Sequence, residues 1–305
     1  MLASFEMIRK YTVLIVSVLV IVVSSCLFCG CEKAIVRDEN SFYLVYTDDF
    51  KIMQLADIQV DSVAACDAAF EEIDEMVQIV RPDLIILTGD NVDAYAEQNT
   101  FENLVSHMEK YAVYWAPVFG NHDDEQYESL GLTKNYMACA FENAKYCLFN
   151  RGPTDINGVG NYVINLVNEK STEIFYSLVL MDSNTYRNYD TDFGWDYIYP
   201  GQIDWFERAV NNVTLQNHGV FVPTLTFFHI PLMEFEIAKN IHLNGGNLGW
   251  GELREEMGAP MENTGMFAKM KELNNCLGVI CGHAHINNCD LIYENIHLIC
   301  GLKSS

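Results

Sequence analysis

The sequence predicts an α/β layered fold, in which β-sheets are covered by helices. Three observations support this prediction. Short apolar runs alternate with helical patterns along the chain, and no stretch rich in Pro, Gly or Ser interrupts the middle of the sequence. Of the 305 residues, 50% are hydrophobic and only 20% are charged, which provides enough apolar surface for a large core. We therefore expect one domain at 42–305, preceded by a short linker at 32–41.

The first predicted elements are a strand at 51–56, a helix, and a buried strand at 84–87. The helix is indicated by apolar residues on one face of an acidic segment: Ala65, Ala69, Ile73, Met76, Val77 and Val80. Further strands are predicted at 113–118, 162–167, 174–181, 221–228 and 278–281. Helical patterns near 99–111, 201–216 and 262–274 separate several of these strands.

A hairpin is predicted at the end of the chain. If Glu294 and Asn295 form a two-residue turn, Tyr293 faces Ile296 and Cys289 lies directly opposite Cys300. Cross-strand neighbours are close enough for a disulfide bond, so we expect a bridge between these cysteines; the alternative is two buried thiols.

The first 31 residues have the character of a targeting segment. Arg9 and Lys10 precede residues 11–31, which carry no charge and are long enough either for a signal peptide or for a membrane anchor. Val-Ser-Ser-Cys at 23–26 would also pass as a lipoprotein cleavage box, so a lipid tether is a third alternative. All three alternatives place the domain outside the cytosol, secreted or membrane-anchored, with membrane contact only through this segment if it is retained. In a eukaryotic secretory pathway, Asn212-Val213-Thr214 would be a glycosylation site.

The charge balance excludes some classes of partner. With 18 basic and 42 acidic residues the net charge is −24, which repels nucleic acids and anionic lipid surfaces. If the substrate is itself anionic, a bound metal ion is the natural group to attract it, because the chain has few Lys and Arg.

Polar side chains with metal-binding chemistry follow the predicted strands. They occur as Asp57, Gly89-Asp90, Gly120-Asn121-His122-Asp123, His229 and Gly282-His283-Ala284-His285. Strand ends in α/β proteins meet at one edge of the sheet, where ligands bind. Taken singly, Asp90 could be a turn residue and His229 a core histidine. Taken together, these carboxylates, amide and imidazoles are suited to Mn, Fe or Zn.

This ordered set resembles the calcineurin-like metallophosphoesterase superfamily over nearly all of residues 50–300. The segments 82–91 and 228–232, with the region between Trp195 and Trp205, are most similar to its single-domain purple-acid-phosphatase-like group. The resemblance implies a four-layer α/β/β/α sandwich of two mixed sheets.

The resemblance also implies a site with two divalent metal ions. Asp90 would bridge both ions, Asp57 and His285 would complete one of them, and Asn121, His229 and His283 the other. Asn121 and His122 would bind the substrate, and His122, steadied by Asp123, would act on the leaving oxygen. The implied activity is hydrolysis of a small phosphorylated substrate by a metal-activated water, foremost as a phosphomonoesterase.

The sequence departs from this family in two places. Many relatives carry His two residues after the first Asp, where this chain has Gln59. Gln59 could be a weaker metal ligand or lie beside the ligands, and it resembles the ADP-ribose and CDP-alcohol diphosphatases of the superfamily. A non-catalytic binding module on the same fold is a further alternative. Relatives usually continue with a Gly/Tyr-rich strand beyond the position of Ser305, so we expect an incompletely covered sheet edge there.

Overall fold

The computed structural model describes residues 36–37, 41–125, 131–170, 173–188 and 193–304. The predicted targeting segment 1–31 lies outside these residues. Within them, none of the helices is both long and apolar enough to cross a membrane. The residues from Ala34 onward form one compact unit. Within the segment that the sequence predicts as a linker, Val36 and Arg37 pair with Tyr43 and Phe42.

Each predicted strand and helix has a counterpart among the described elements. The helices are α1 Val63–Val80, α2 Gln98–Lys110, α3 Lys134–Asn143, α4 Pro200–Gln216, α5 Met233–Ile241 and α6 Met266–Leu273. The strands up to the middle of the chain are β1 Val36–Arg37, β2 Ser41–Val45, β3 Ile52–Leu55, β4 Leu84–Thr88, β5 Tyr114–Val118, β6 Tyr162–Val167 and β7 Ile174–Leu180. The later strands are β8 Tyr186–Asn188, β9 Phe193–Trp195, β10 Thr224–Phe227, β11 Gly249–Glu252, β12 Cys276–Cys281, β13 Asn288–Tyr293 and β14 Ile296–Cys300. The structure adds β1, β2, β8, β9, β11, α3 and α5 to the predicted elements.

Two of the sheets form the body of the domain. Nine of the described strands make a mixed sheet in the order β1-β2-β6-β7-β10-β12-β14-β13-β11, and three make a smaller sheet in the order β3-β4-β5. The smaller sheet is parallel throughout rather than mixed. Strands β8 and β9 form a separate antiparallel hairpin.

The larger sheet separates two hydrophobic cores, because successive side chains of a strand point to opposite faces. Tyr162 and Ile164 of β6 belong to the core that also contains the smaller sheet and helices α1 to α3. Their neighbour Val163 belongs to the core that contains Phe206 of α4 and Phe235 of α5. The predicted four-layer α/β/β/α arrangement is confirmed.

Some elements are not apparent from the sequence. Helix α5 begins at Met233, two residues after Pro231, and α3 buries only three residues, Met137, Ala138 and Phe141. Gly249–Glu252, in a Gly-rich stretch, pairs as an edge strand with β13. Glycine lacks the side chain that would reveal the alternation of a strand, so this element has no hydrophobic signal.

The predicted hairpin register is confirmed, but the disulfide bond is not formed. Cys289 pairs with Cys300 and Tyr293 with Ile296, yet both cysteines are free and buried. The thiol of Cys300 lies 3.8 Å from the carbonyl oxygen of Gly282 and 3.9 Å from that of Ala284, so it faces the loop after β12 rather than its cross-strand neighbour. The structure has the alternative of two buried thiols. Asn212 is exposed on α4, and its glycosylation stays a prediction.

The segment after β14 pairs with the smaller sheet. Lys303 forms a parallel bridge with Ala56, which lies just after β3. The backbone N–H of Ser304 donates to the carbonyl oxygen of Ala56 over 2.9 Å, and the N–H of Ala56 donates to Oγ of Ser304 over 3.0 Å. The sequence predicts an incompletely covered sheet edge, and these residues pair with the smaller sheet only at Ala56, just beyond the end of β3.

Candidate metal centre

The candidate ligands follow the carboxyl ends of five strands from both sheets. Asp57, Asp90 and Asn121 follow β3, β4 and β5 of the smaller sheet, and His229 and His283 follow β10 and β12 of the larger sheet. Strands β3, β4 and β5 are parallel to each other, as are β10 and β12. Their carboxyl ends therefore meet on one side of the domain, and the structure brings all five residues together.

One group of donors surrounds Nε2 of His229. Oδ2 of Asp90 lies 3.2 Å from this nitrogen, and Oδ1 of Asn121 and Nδ1 of His283 each lie 3.1 Å from it. The ligand atoms of Asp90, His229 and His283 all lie within 4.8 Å of one another, which is close enough to hold one metal ion. Together with Asn121, these three residues are the ligands that the family resemblance implies for one ion.

A second group shares Asp90 with the first. Asp57, Asp90 and His285 also place their ligand atoms within 4.8 Å of one another, and Nε2 of His285 lies 3.5 Å from Oδ1 of Asp57. The backbone N–H of His283 donates to Oδ2 of Asp57 over 3.0 Å, which holds this carboxylate in place. Asp90 therefore has the position of a bridging carboxylate between two groups.

The backbone around the ligands adopts a conformation that side chains disfavour. Asp57, Asp90 and His283 have positive φ angles of 55°, 50° and 75°, respectively. Such backbone strain in residues other than glycine is concentrated at functional sites. Gly89 has a φ of 90°, and a Cβ atom on it would lie 2.6 Å from Nδ1 of His229. Only glycine therefore allows Asp90 and His229 to approach each other at this point.

The donor set fits a divalent cation. Asp57 and Asp90 are only 0% and 1% exposed, so two carboxylates are buried side by side. Burial, with the charge of Asp90, raises the pKa of Asp57 to about 7. The pKa of His229 rises to about 9 because Asp90 outweighs the effect of burial. In the metal-free protein a proton on His229 thus offsets the negative charge, and a cation would replace this proton.

The imidazoles are also prepared for metal binding. The Nδ1 atom of His229 donates a hydrogen bond to the carbonyl oxygen of Thr88 over 2.9 Å, so Nε2 faces the centre. Metal-binding histidines are typically oriented by such a bond on their other nitrogen. Burial and the charge of His229 lower the pKa of His283 to about 3, so its imidazole is in the neutral form that binds metals.

Asp123 makes its described hydrogen bonds to groups other than His122, and its support of His122 stays a prediction. Asp123 is fully buried and accepts hydrogen bonds from the backbone N–H groups of Gly120, Asn91 and Val92 over 2.8 to 3.1 Å. The side chain of Asn91 also donates to it over 2.9 Å. These hydrogen bonds hold the loops that follow β4 and β5.

Glu125 contacts His122 directly. The short 3₁₀ turn His122–Asp124 brings Oε2 of Glu125 into a short hydrogen bond with Nδ1 of His122. Nε2 of His122 lies 3.9 Å from Oδ2 of Asp90. Burial alone would lower the pKa of His122, but Asp90 and Glu125 raise it above its ordinary value.

Gln59 lies beside the ligands. Its Nε2 donates to Oδ2 of Asp90 over 3.2 Å, while its Oε1 accepts a short hydrogen bond from Nζ of Lys303. The amide oxygen, which is the atom that would bind a metal, is therefore engaged by a lysine. This favours the alternative in which Gln59 orients Asp90 rather than binding an ion.

Three residues at the centre are not among those predicted from the sequence: Glu125, Tyr186 and Lys303. Glu125 carries a weak signal, because its spacing of three from His122 fits one turn of helix. Tyr186 and Lys303 carry none: the hydroxyl of Tyr186 accepts a hydrogen bond from Nδ2 of Asn121 over 2.9 Å, and Lys303 is distant in sequence from Gln59. Only tertiary structure brings Tyr186 and Lys303 to the site.

Sequence comparisons find relatives of this chain. The chain is 27% identical over 282 residues to Phosphatase DCR2 of Saccharomyces cerevisiae, an alignment that covers 82% of this chain and 47% of the relative. It is 26% identical over 229 residues to Probable inactive purple acid phosphatase 14 of Arabidopsis thaliana, covering 68% of this chain and 55% of the relative. The chain thus spans about half the length of these relatives.

The fold has a counterpart among solved structures. A dimetal phosphatase from Danio rerio superposes with a TM-score of 0.56 at 12% identity, covering 84% of this chain and 88% of the other. At that identity the similarity shows the fold alone. The family profile described as calcineurin-like phosphoesterase matches residues 50–287, which is most of the chain. The protein is therefore a member of the calcineurin-like phosphoesterase family.

Proposed function

We propose that this protein is a metal-dependent hydrolase of phosphate esters that acts on a small phosphorylated substrate, foremost as a phosphomonoesterase. The observation that carries this proposal is the shared carboxylate: Asp90 belongs to both donor groups, one with His229 and His283 and one with Asp57 and His285. Two donor groups that share one carboxylate are suited to a pair of divalent ions. Mn, Fe and Zn all accept such oxygen and imidazole ligands.

The residues divide into two sets around the ions. Asp90, Asn121, His229 and His283 would hold one ion, and Asp57, Asp90 and His285 the other. When bound, the ions would neutralise the charge of a phosphate group and make a water molecule more acidic. The fold positions these ligand side chains, because they follow strands that pack into the core.

His122 is the proposed proton donor. Its Nδ1 is fixed by Glu125, so Nε2 is directed to the centre near Asp90. The side chain is 29% exposed, which places it between the ligands and the solvent. From there it would transfer a proton to the leaving oxygen of the ester, while Asn121 would help to orient the phosphate.

Two other functions are supported by particular observations. Gln59 resembles the residue found in the diphosphatases of the superfamily, which keeps a nucleotide-type diphosphatase open. Relatives carrying the words probable inactive in their names support a non-catalytic binding module. The presence of both carboxylates, Asn121 and the three imidazoles in one place supports an enzyme over a binding module. We also propose a location outside the cytosol, supported only by the uncharged segment 11–31.

Metal analysis combined with hydrolysis assays tests this function. We expect the wild-type protein to bind two equivalents of Mn²⁺ and to hydrolyse an aryl phosphate faster than ADP-ribose. Asp90→Ala should lose both metal binding and hydrolysis, while Asp204→Ala, which removes an exposed carboxylate on α4, should retain both. Metal binding without hydrolysis of either substrate would support the binding module, and faster hydrolysis of ADP-ribose the diphosphatase.

Separation of cell fractions tests the location. We expect the full-length chain in the secreted or membrane fraction, accessible to protease added from outside. A chain found only in the cytosolic fraction would contradict this part of the proposal.

A further inference from the structure

A large cleft lies next to the metal centre. It has a volume of about 710 Å³. One wall is the β8–β9 hairpin with Tyr186, Phe193 and Trp195, and the facing wall comes from α5 and the segment 256–261, including Ile237 and Met261. This size is within the range of clefts that hold small ligands.

Two of the wall residues contact candidate metal ligands directly. The indole ring of Trp195 stands edge-on against the imidazole of His283, with ring centroids 4.3 Å apart and an angle of 88°. The hydroxyl of Tyr186 accepts the hydrogen bond from Asn121. A phosphate group held at the metal centre would therefore have the cleft beside it, and the organic part of the ester would enter the cleft.

The hairpin wall is an aromatic surface. The rings of Tyr186 and Phe193 are stacked, with centroids 5.1 Å apart and an angle of 21°, and those of Tyr186 and Trp195 are also 5.1 Å apart. Phe193 is 57% exposed and Met261 is 52% exposed. Such surfaces bind flat, apolar groups by stacking and by release of water.

The charges around the cleft disfavour a negative charge on the organic part of the ligand. Among the described lining residues there is no Lys, Arg or His, and the charged ones are Glu236 and Glu256. Glu236 is paired with Lys239, whose Nζ lies 3.1 Å from Oε1, whereas Glu256 is exposed. A negative charge on the organic part of the ligand would thus lie near a carboxylate. None of the described lining residues offers a cation to offset it.

From these observations we infer that the cleft binds the organic part of the substrate, and that this part is a flat aromatic group, neutral or positively charged. The inference rests on the proposed function and deepens it by naming the substrate class. Phosphate esters of aromatic alcohols should therefore be better substrates than those of small polyols. A leaving group with a carboxylate of its own should be a poor one.

A substrate series tests the inference in the metal-loaded protein. We expect kcat/KM for naphthyl phosphate to exceed that for glycerol phosphate by about tenfold or more, and an added carboxylate on the naphthyl ring to remove most of this advantage. Phe193→Ala should lower kcat/KM for naphthyl phosphate by about two- to tenfold, mainly through KM, and affect glycerol phosphate much less. Equal values for all three esters would overturn the inference.

A matched aromatic control and a charge change sharpen the test. Phe221→Ala removes another exposed phenylalanine, 53% exposed, that precedes β10 and so lies at the opposite end of this strand from His229. We expect this variant to behave as wild type. Glu256→Lys should raise kcat/KM for the carboxylated naphthyl phosphate relative to the neutral one, and no change in this ratio would count against the proposed charge selection.

A binding measurement separates this inference from the proposed function. Naphthyl phosphonate and methyl phosphonate are not hydrolysed, and their affinities can be measured by calorimetry in the metal-loaded protein. We expect tighter binding of the naphthyl compound, weakened by Phe193→Ala and not by Phe221→Ala. If no ester is hydrolysed and this pattern is still found, the catalytic proposal fails and the cleft assignment stands. If hydrolysis occurs and both phosphonates bind equally, the cleft assignment fails alone.

Discussion

Lys303 donates a hydrogen bond to the side-chain oxygen of Gln59, and Gln59 in turn donates to Asp90, the carboxylate shared by both donor groups. A cation from the segment after β14 is thereby connected to the centre of the site through one amide. The amide has a fixed orientation, because its oxygen can only accept and its nitrogen can only donate. Gln59 therefore orients Asp90 and is not expected to coordinate an ion itself.

Substitution of Gln59 tests this arrangement. Because loss of a residue that orients a ligand weakens metal binding without removing a ligand, we expect Gln59→Ala to lower Mn²⁺ affinity by about tenfold. Both equivalents of metal should still bind at saturation, as measured by titration against a chelator. Lys303→Met, which keeps the length of the side chain and removes its charge, should have a similar or smaller effect. Loss of one whole equivalent in Gln59→Ala would show that Gln59 is a ligand.

Glu125 and Asp123 should have separable roles. Because Asp123 satisfies several buried backbone N–H groups, Asp123→Ala should lower the free energy of unfolding by about 3 kcal/mol or more. Glu125→Ala should leave this free energy within about 0.5 kcal/mol of wild type and lower kcat instead, since it acts through His122. Urea unfolding and steady-state kinetics measure the two quantities. A large loss of kcat in a well-folded Asp123→Ala protein would support the role first expected for Asp123.

Glycine at position 89 should be essential for metal binding. Gly89→Ala places a methyl group 2.6 Å from His229, so we expect loss of the ion at this site together with lower stability. Gly219→Ala is the matched control: it also has a positive φ, of 81°, but no atom lies within 4 Å of the added carbon. It should cost only about 1 kcal/mol of stability and leave metal content unchanged. Equal metal content in both variants would contradict the proposed steric role.

A buried histidine of α2 that packs against α1 should make stability depend on pH. His107 stacks on Phe70 with ring centroids 3.9 Å apart, and its Nε2 lies 2.9 Å from Oδ1 of Asp74. Burial lowers the pKa of His107 below its ordinary value of 6.5. The imidazole of His107 thus binds a proton more tightly in the unfolded chain than in the folded protein. The stability contributed by neutral His107 is therefore fully present above about pH 6.5 and is lost as the pH falls through its lowered pKa.

Urea unfolding between pH 5 and pH 8 measures this effect. The wild-type protein should lose free energy of unfolding below about pH 6.5, and His107→Gln should show a smaller loss over the same range. His218→Gln, which removes an exposed histidine after α4, serves as the control and should follow the wild type. Parallel curves for wild type and His107→Gln would mean that His107 does not contribute to the pH dependence.

Much of the fold can be predicted because its strands are short and apolar. The run 84–87 is bounded by Pro82 and Gly89, and β4 covers it almost residue for residue. The hairpin register also follows from the turn alone, because a two-residue turn determines every pair along the ladder, including that of Cys289 with Cys300. Whether these thiols join depends on where each sulfur points, which strand register does not specify.

The sequence by itself determined which side chains follow the buried strands, and hence that Asp57, Asp90, Asn121, His229 and His283 are carried to one side of an α/β sandwich. This information is local, since strand periodicity and strand ends are properties of neighbouring residues. Tertiary structure alone decided that Lys303 reaches Gln59 across 244 positions, and that aromatic residues form a cleft beside His283. These contacts join segments distant along the chain, and their geometry depends on how the two sheets pack against each other.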